Sequence, residues 1–365
     1  MLILNDLHIG FDRKGGTTAA SKERLRSYLL NSAHVFLSKA AERERHLVIA
    51  GDLFDDFEVS SRDLLAAYSL LTQWLDGGLH KLTLVAGNHD WRPNAERVSS
   101  FQLLCRVLRD AYQDQIQLVM LDSWGQIDEN VYAIAHYSNQ AAFEAGLAEV
   151  HKVMPAGSAL LVHANYENKF AARSDHSLNI SEDLAKSFAA HDITLYFAHE
   201  HQAKKALGGK VVILGNQWPT SVADCLGNDA KFAHTLTVDS DFGGEKTHVL
   251  ESVETWGIKY LGVCFNDIDW RELPNTPLEG HGFVRIAGNA SATEASDVVN
   301  AIAHFRAVSD AFVISNDVAV AGIVGGAELP EAFEATKRFD VLKFIAEHLD
   351  DKEMVVVNQL ISEQS

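Results

Sequence analysis

Short apolar runs recur along the first two thirds of this chain, separated by longer stretches in which apolar residues fall at helical spacing. Residues 2–4, 47–50, 82–86, 131–135, 160–162, 195–198 and 211–214 are apolar on both faces, the pattern of strands in a sheet covered on each side. Between them, 21–42, 61–75, 98–110 and 181–190 read as helices; Leu25, Leu29, Val35 with Phe36, and Ala40 carry the stripe of the first. Ser181 ahead of Glu182 and Asp183 is a helix-start signal. This alternation predicts an α/β domain of layered αββα type, in which the loops after different strands converge on one crevice.

The pattern changes near residue 255. Residues 282–286, 293–306 and 311–314 read as strand, helix and strand, and 330–350 as a terminal helix with Val341, Leu342, Ile345 and Leu349 on one face. The expected division is a domain of residues 1–255 and a smaller C-terminal α/β capping domain of 256–365.

The apolar runs of the first domain end on side chains that bind metals. They are Asp6-Leu7-His8, Gly51-Asp52-Leu53-Phe54-Asp55, Gly87-Asn88-His89-Asp90, His163 and His199-Glu200-His201, with Gly215-Asn216 after the last. Carboxylate and amide oxygens suit hard divalent cations, and imidazole adds affinity for borderline metals such as manganese, iron, cobalt or zinc. Asp6 and His8, two apart, point the same way from an extended strand end, and His199 and His201 repeat that spacing. Two such ions can activate a water and neutralise phosphate oxygens during in-line displacement. A proton donor for the leaving oxygen is then required; His89 is the candidate, with Asp55 suited in type to fix its tautomer. Glu200 and Asp90 read as solvated or supporting groups, and His136 as a hydrogen-bonded structural residue.

Composition narrows the setting. With 365 residues, 47% hydrophobic and 22% charged, the chain can bury a large core. Cys105, Cys225 and Cys264 are odd in number and far apart, so they are expected as buried small hydrophobes in a reducing compartment. Met1-Leu2-Ile3-Leu4 runs straight into Asp6, leaving no room for a signal peptide, and no apolar stretch reaches the ~20 residues of a membrane span. A cytoplasmic protein without membrane contact is the expectation. Residues 1–110 carry 14 basic and 14 acidic side chains, so the whole net charge of −19 falls in residues 111–365. That acidity opposes indiscriminate nucleic-acid binding, whereas bound divalent ions would reverse the field locally.

The ordered motifs resemble those of the calcineurin-like metallophosphoesterases, D-x-H, GDxxD, GNH[DE], a lone His and GHxH, over roughly residues 1–220, with Ala198 where Gly is usual. The resemblance implies that Asp6, His8 and His201 hold one metal, that Asn88, His163 and His199 hold the second, and that Asp52 bridges them. It makes His89 the catalytic histidine and Asp55 its partner. A narrower resemblance is to the SbcD-type subunit of double-strand-break-repair nucleases, carried by Asp6-Leu7-His8-Ile9-Gly10, Gly51-Asp52-Leu53-Phe54-Asp55, Gly87-Asn88-His89-Asp90 with Arg97, and 214–221. It implies a manganese-dependent DNA nuclease, a homodimer, and an SbcC-like ABC ATPase partner. Arg92 and Arg97, with Arg13, Lys14, Lys22, Arg24 and Arg26, are candidate contacts to a DNA backbone, or else a solvated face. A small-substrate phosphodiesterase or phosphatase on the same site, and a metal-binding scaffold without turnover, are the alternatives.

Overall fold

The computed structural model describes residues 1–11, 19–92, 97–168, 177–218, 231–240, 246–255, 259–267, 281–308 and 313–320. Arg13, Lys14, Cys225, residues 219–221 and the expected terminal helix of 330–350 lie outside the described residues, as does the side chain of Lys22.

The first half runs β1 (Leu2–Leu4), α1 (Ala19–Ala40), β2 (His46–Ala50), α2 (Ser61–Leu75), β3 (Lys81–Val85), α3 (Ser100–Ala111) and β4 (Ile116–Val119). These four strands are parallel neighbours in chain order. Helix boundaries follow capping chemistry. Ser60 accepts from the Asp63 N–H to open α2, and Ser99 forms a reciprocal capping box with Gln102 to open α3. Phe101, Leu104, Cys105 and Leu108, at i, i+3, i+4 and i+7, are the buried stripe of α3.

The second half runs β5 (Trp124–Asp128), β6 (Val131–Ile134), α4 (Gln140–Val153), β7 (Ala159–His163), β8 (Asn165–Tyr166), β9 (Asn179–Ile180), α5 (Glu182–Ala190), β10 (Thr194–Ala198), β11 (Lys204–Ala206) and β12 (Val211–Ile213). Strands β6, β7, β10 and β12 are parallel, with β5 and β11 antiparallel at the two edges. Ser181 caps α5, accepting from the Leu184 N–H. Helix α4, capped by Asn139, is an element that the apolar spacing did not single out. The antiparallel hairpin of β13 (Phe232–Ser240) and β14 (Lys246–Glu254) returns to the first sheet, where β13 pairs with β1.

Alternation along the second sheet sets the layering. Val131, Ala133, Leu161, Tyr196, Ala198 and Val212 belong to the same buried cluster as the first sheet and α1 to α3. Their neighbours Tyr132, Ile134, Leu160, Val162, Leu195, Phe197, Val211 and Ile213 belong to a second cluster with Phe143, Leu147 and Val150 of α4 and Phe188 of α5. One face of the sheet thus packs on the other sheet and the opposite face on helices, the αββα arrangement. Because both faces are covered, these strands are apolar throughout.

A separate three-stranded sheet follows, ordered β15 (Lys259–Cys264), β16 (His281–Ala290), β17 (Val313–Val320), with α6 (Ala295–Val308) packed on β16. Val284 and Ile286 of β16 and Val298, Ala301 and Phe305 of α6 are buried. The expected boundary of 255/256 falls just after β14. Cys105 is buried as expected, but Cys264 is exposed. It lies on edge strand β15, where alternation turns Val263 inward and Cys264 outward. Among the described residues, no helix is long and apolar enough to cross a membrane.

Candidate metal centre

Every metal-grade cluster of the sequence lies at the carboxyl end of a parallel strand. Asp6 and His8 follow β1, Asp52 and Asp55 follow β2, Asn88 and His89 follow β3, His163 ends β7, and His199 and His201 follow β10. The loops after β1 and β2 are laced together by main-chain bonds from Asp6 N to Gly51 O (3.2 Å), His8 N to Asp52 O (3.1 Å) and Asp55 N to Ile9 O (3.1 Å). That lacing brings the first two motifs side by side.

The backbone there differs from the extended strand end expected for Asp6 and His8. Asp6, His8, Asp52 and His199 have φ of 52°, 44°, 47° and 84°. Left-handed conformations cost non-glycine residues roughly 1–3 kcal/mol each and cluster where function imposes them. The side chains of these four converge because the chain turns sharply at their positions, where a straight strand would carry them apart. Two glycines make room for this. At Gly51, with φ of +96°, a Cβ would lie 2.0 Å from His163 Nδ1, and at Gly87 a Cβ would lie 2.1 Å from Asp52 Oδ1.

Three groups result, each with ligand atoms within 4.8 Å of one another: Asp6, His8 and His201; Asp52, His163 and His199; and His8, Asp55 and His89. The rings of His8 and His201 lie 5.3 Å apart and those of His163 and His199 5.2 Å. Asn88 joins the second group, its Oδ1 3.0 Å from His163 Nε2, which is also 3.2 Å from Asp52 Oδ2. His163 Nδ1 donates to Ala50 O at 3.1 Å. With the proton of the neutral ring committed there, Nε2 presents a lone pair to two oxygens. Such converging acceptors repel unless a cation or an extra proton lies among them.

The electrostatics agree. Burial pushes the His163 imidazole down, but the neighbouring Asp52 carboxylate outweighs it and lifts the pKa to about 9. Burial likewise pushes Asp52 up, yet His163, His89 and His8 hold it well below the usual carboxylate range. Asp90, also buried, is raised well above that range by burial and by the Asp52 charge; its Oδ2 accepts from the Gly87 N–H at 2.9 Å, steadying the turn that carries Asn88 and His89. Glu200 Oε1 accepts from the Tyr166 N–H at 2.6 Å.

Asp6 Oδ2 accepts from the His199 N–H at 3.0 Å and from Asn5 Nδ2, leaving the buried Oδ1 without a hydrogen bond. The donor set and this orphaned oxygen fit divalent ions. Asn5 is in turn held by Gln217, which receives the Asn5 N–H on Oε1 at 2.6 Å and donates to Asn5 Oδ1 at 2.9 Å. Asn5 adjoins Asp6 and Gln217 lies within the 214–221 stretch, but a carboxamide carries no ligand-spacing signal that would pair them.

Asp55 meets two imidazoles in two ways. Its main-chain oxygen accepts from His89 Nδ1 at 2.5 Å, and its carboxylate Oδ1 lies 3.3 Å from His8 Nδ1. The backbone, which any residue supplies, is thus what fixes the His89 tautomer, and His89 Nε2 is left 3.9 Å from Asp52 Oδ2. Arg92 and Arg97 lie outside the three ligand groups. Both are exposed, Arg92 paired with Asp56 at 2.5 Å and Arg97 with Glu58 at 3.3 Å. Arg26 is engaged by Asp63 at 2.5 Å. His136 is buried, its ring 5.8 Å from that of Trp91.

No curated protein matches this chain. The family model described as calcineurin-like phosphoesterase matches residues 1–203, the span that carries every cluster above. The chain belongs to the calcineurin-like phosphoesterase family, metal-dependent hydrolases of phosphoester bonds.

Proposed function

We propose that the protein is a dinuclear phosphodiesterase, with Asp6, His8 and His201 holding one ion, Asn88, His163 and His199 the second, and Asp52 shared. The observation that carries this is the meeting of His163 Nε2, Asn88 Oδ1 and Asp52 Oδ2 within 3.2 Å of the imidazole nitrogen, with the ring's proton directed elsewhere. Divalent ions bound there neutralise phosphoryl charge and lower the pKa of an attacking water. The protein's own groups supply orientation and proton transfer. His89, held through Nδ1 by the Asp55 carbonyl, keeps Nε2 turned toward the shared carboxylate, where it can hand a proton to the departing ester oxygen.

The finer assignment is a manganese-dependent DNA nuclease of SbcD type, dimeric and paired with an SbcC-like ABC ATPase. Its support is the residues flanking His8, Asp55 and Asp90 in sequence. The second reading, a small nucleotide-like phosphodiester substrate, is favoured by the net charge of −19 and by Arg92 and Arg97, already engaged by Asp56 and Glu58. Purified protein with manganese, given labelled duplex and single-stranded DNA beside an aryl phosphodiester, separates them. Degradation of DNA supports the nuclease; cleavage of the aryl ester alone supports the small substrate; metal binding with neither activity leaves the scaffold.

A further inference from the structure

Lys231 is 4% exposed, and among the described residues it is the one lysine or arginine that is buried. A buried ammonium is costly unless partners receive it. Lys231 precedes β13, which runs antiparallel to β1 through the pairs Leu2 with Thr235 and Ile3 with His234, so β13 begins at the end of β1 that carries Asn5 and Asp6. From there Lys231 Nζ donates to the main-chain oxygen of His201 at 3.1 Å, and the Asn216 N–H reaches the same oxygen at 3.3 Å.

A continuous run of hydrogen bonds leads from this lysine to Asp6. The Thr255 N–H donates to Lys231 O at 2.9 Å, and the Thr255 hydroxyl donates to Gln217 O. Gln217 exchanges two bonds with Asn5 and donates also to Phe232 O at 3.2 Å. Asn5 Nδ2 in turn donates to Asp6 Oδ2, and to Gly215 O at 2.8 Å. Both carboxamides are fully buried. Asp6 follows β1 of the first sheet and His201 follows β10 of the second, yet this one network grips both. The other ligand group is fixed from elsewhere, His163 by Ala50 O and Asp52 Oδ1 by the His89 N–H at 3.0 Å. The two groups touch where the His199 N–H donates to Asp6 Oδ2.

We propose that Asn5, Gln217, Thr255 and Lys231 form a brace that sets the spacing of Asp6 and His201, and with it the affinity for one ion of the pair separately from the other. The inference rests on the dinuclear reading above and makes these four positioning residues for that centre. Asn5 orients the Asp6 carboxylate directly, and Lys231 pins the loop that carries His201, so little ordering is left for the moment an ion binds.

The test is manganese binding to the full chain, followed by calorimetry and by low-temperature EPR, which separates isolated from paired ions. The wild type is expected to take up two ions. Lys231→Met and Gln217→Met should each weaken one ion by roughly 10–100-fold and change the other by less than about threefold. Asn88→Ala should weaken the complementary ion, and joining it to Lys231→Met should leave no tight site. Thr255→Val deletes a single hydroxyl donor and should weaken the same ion as Lys231→Met, by about fivefold. It decides the question if melts of the metal-free protein show that the methionine variants do not fold. Wild-type affinities in the folded variants, or equal weakening of both ions, overturns the brace alone. A wild type that binds fewer than two ions overturns the dinuclear reading, and the brace with it.

Discussion

His89 Nδ1 lies 2.5 Å from the main-chain oxygen of Asp55, while the carboxylate of the same Asp55 lies 3.3 Å from His8. One residue therefore serves two imidazoles with different groups, and substitution separates them. Asp55→Asn retains the carbonyl on His89 and removes the charge beside His8, so it should weaken metal binding more than it slows turnover at saturating metal. His89→Ala should do the reverse, holding metal while losing roughly 10²–10⁴-fold in kcat. Metal titration and kcat measured on both variants check the pair; metal loss in His89→Ala would show that His89 is a ligand instead.

The glycines of the second and third motifs have steric work to do. Gly51→Ala places a Cβ 2.0 Å from His163 Nδ1 at a φ of +96°, and Gly87→Ala places one 2.1 Å from Asp52 Oδ1 and 2.4 Å from its main-chain nitrogen. Each should lower stability by about 2 kcal/mol or more and abolish high-affinity metal binding. Gly125→Ala, whose Cβ meets nothing within 4 Å, is the control and should change stability by less than about 0.5 kcal/mol. Thermal melts with metal titration decide it.

Stripping metal should destabilise the fold, because the ions bind the ligand set that only the folded chain assembles. At a hundredfold excess of ion over Kd, binding contributes about 2.7 kcal/mol, a melting shift of roughly 3–4 °C for a chain of this length. Melts with chelator, then with manganese restored, test this; coincident curves would argue against a preformed centre.

Acid sensitivity is expected from His234. Burial lowers its pKa below the ordinary value, reinforced by the charge of Lys205 and opposed by the hydrogen bond to Leu214 O, at 2.9 Å from Nε2. A base depressed in the folded state binds its proton more readily when unfolded, so stability is full above the ordinary pKa of about 6.5 and declines as pH falls below it. His234→Gln keeps an amide donor for Leu214 and should flatten this limb in denaturant melts from pH 8 to pH 5. An unchanged slope would assign the loss to other groups.

Much of this architecture is legible in the chain because parallel strands covered on both faces are apolar throughout. Elements with mixed faces are harder to read. Helix α4 buries Phe143, Leu147 and Val150, but alanines between them blur the stripe, and β13 carries a buried His234 among threonines. At the site, the ligand types and their order are visible, and the structure gathers them. The left-handed turns at Asp6, His8, Asp52 and His199 are not, since no glycine marks them. Nor could the pairing of Asn5 with Gln217 be found, because its bonds join residues 212 positions apart.

His163 stands on the second sheet, yet its Nδ1 is tied to Ala50 O at 3.1 Å on the first. Half of the second ligand group comes from each sheet, so a slip of one sheet over the other by a single residue would part His163 and His199 from Asp52 and Asn88 without exposing the core. Catalysis is therefore a finer gauge of sandwich alignment than any melt: destabilising changes at the sheet interface should silence the protein well before they unfold it.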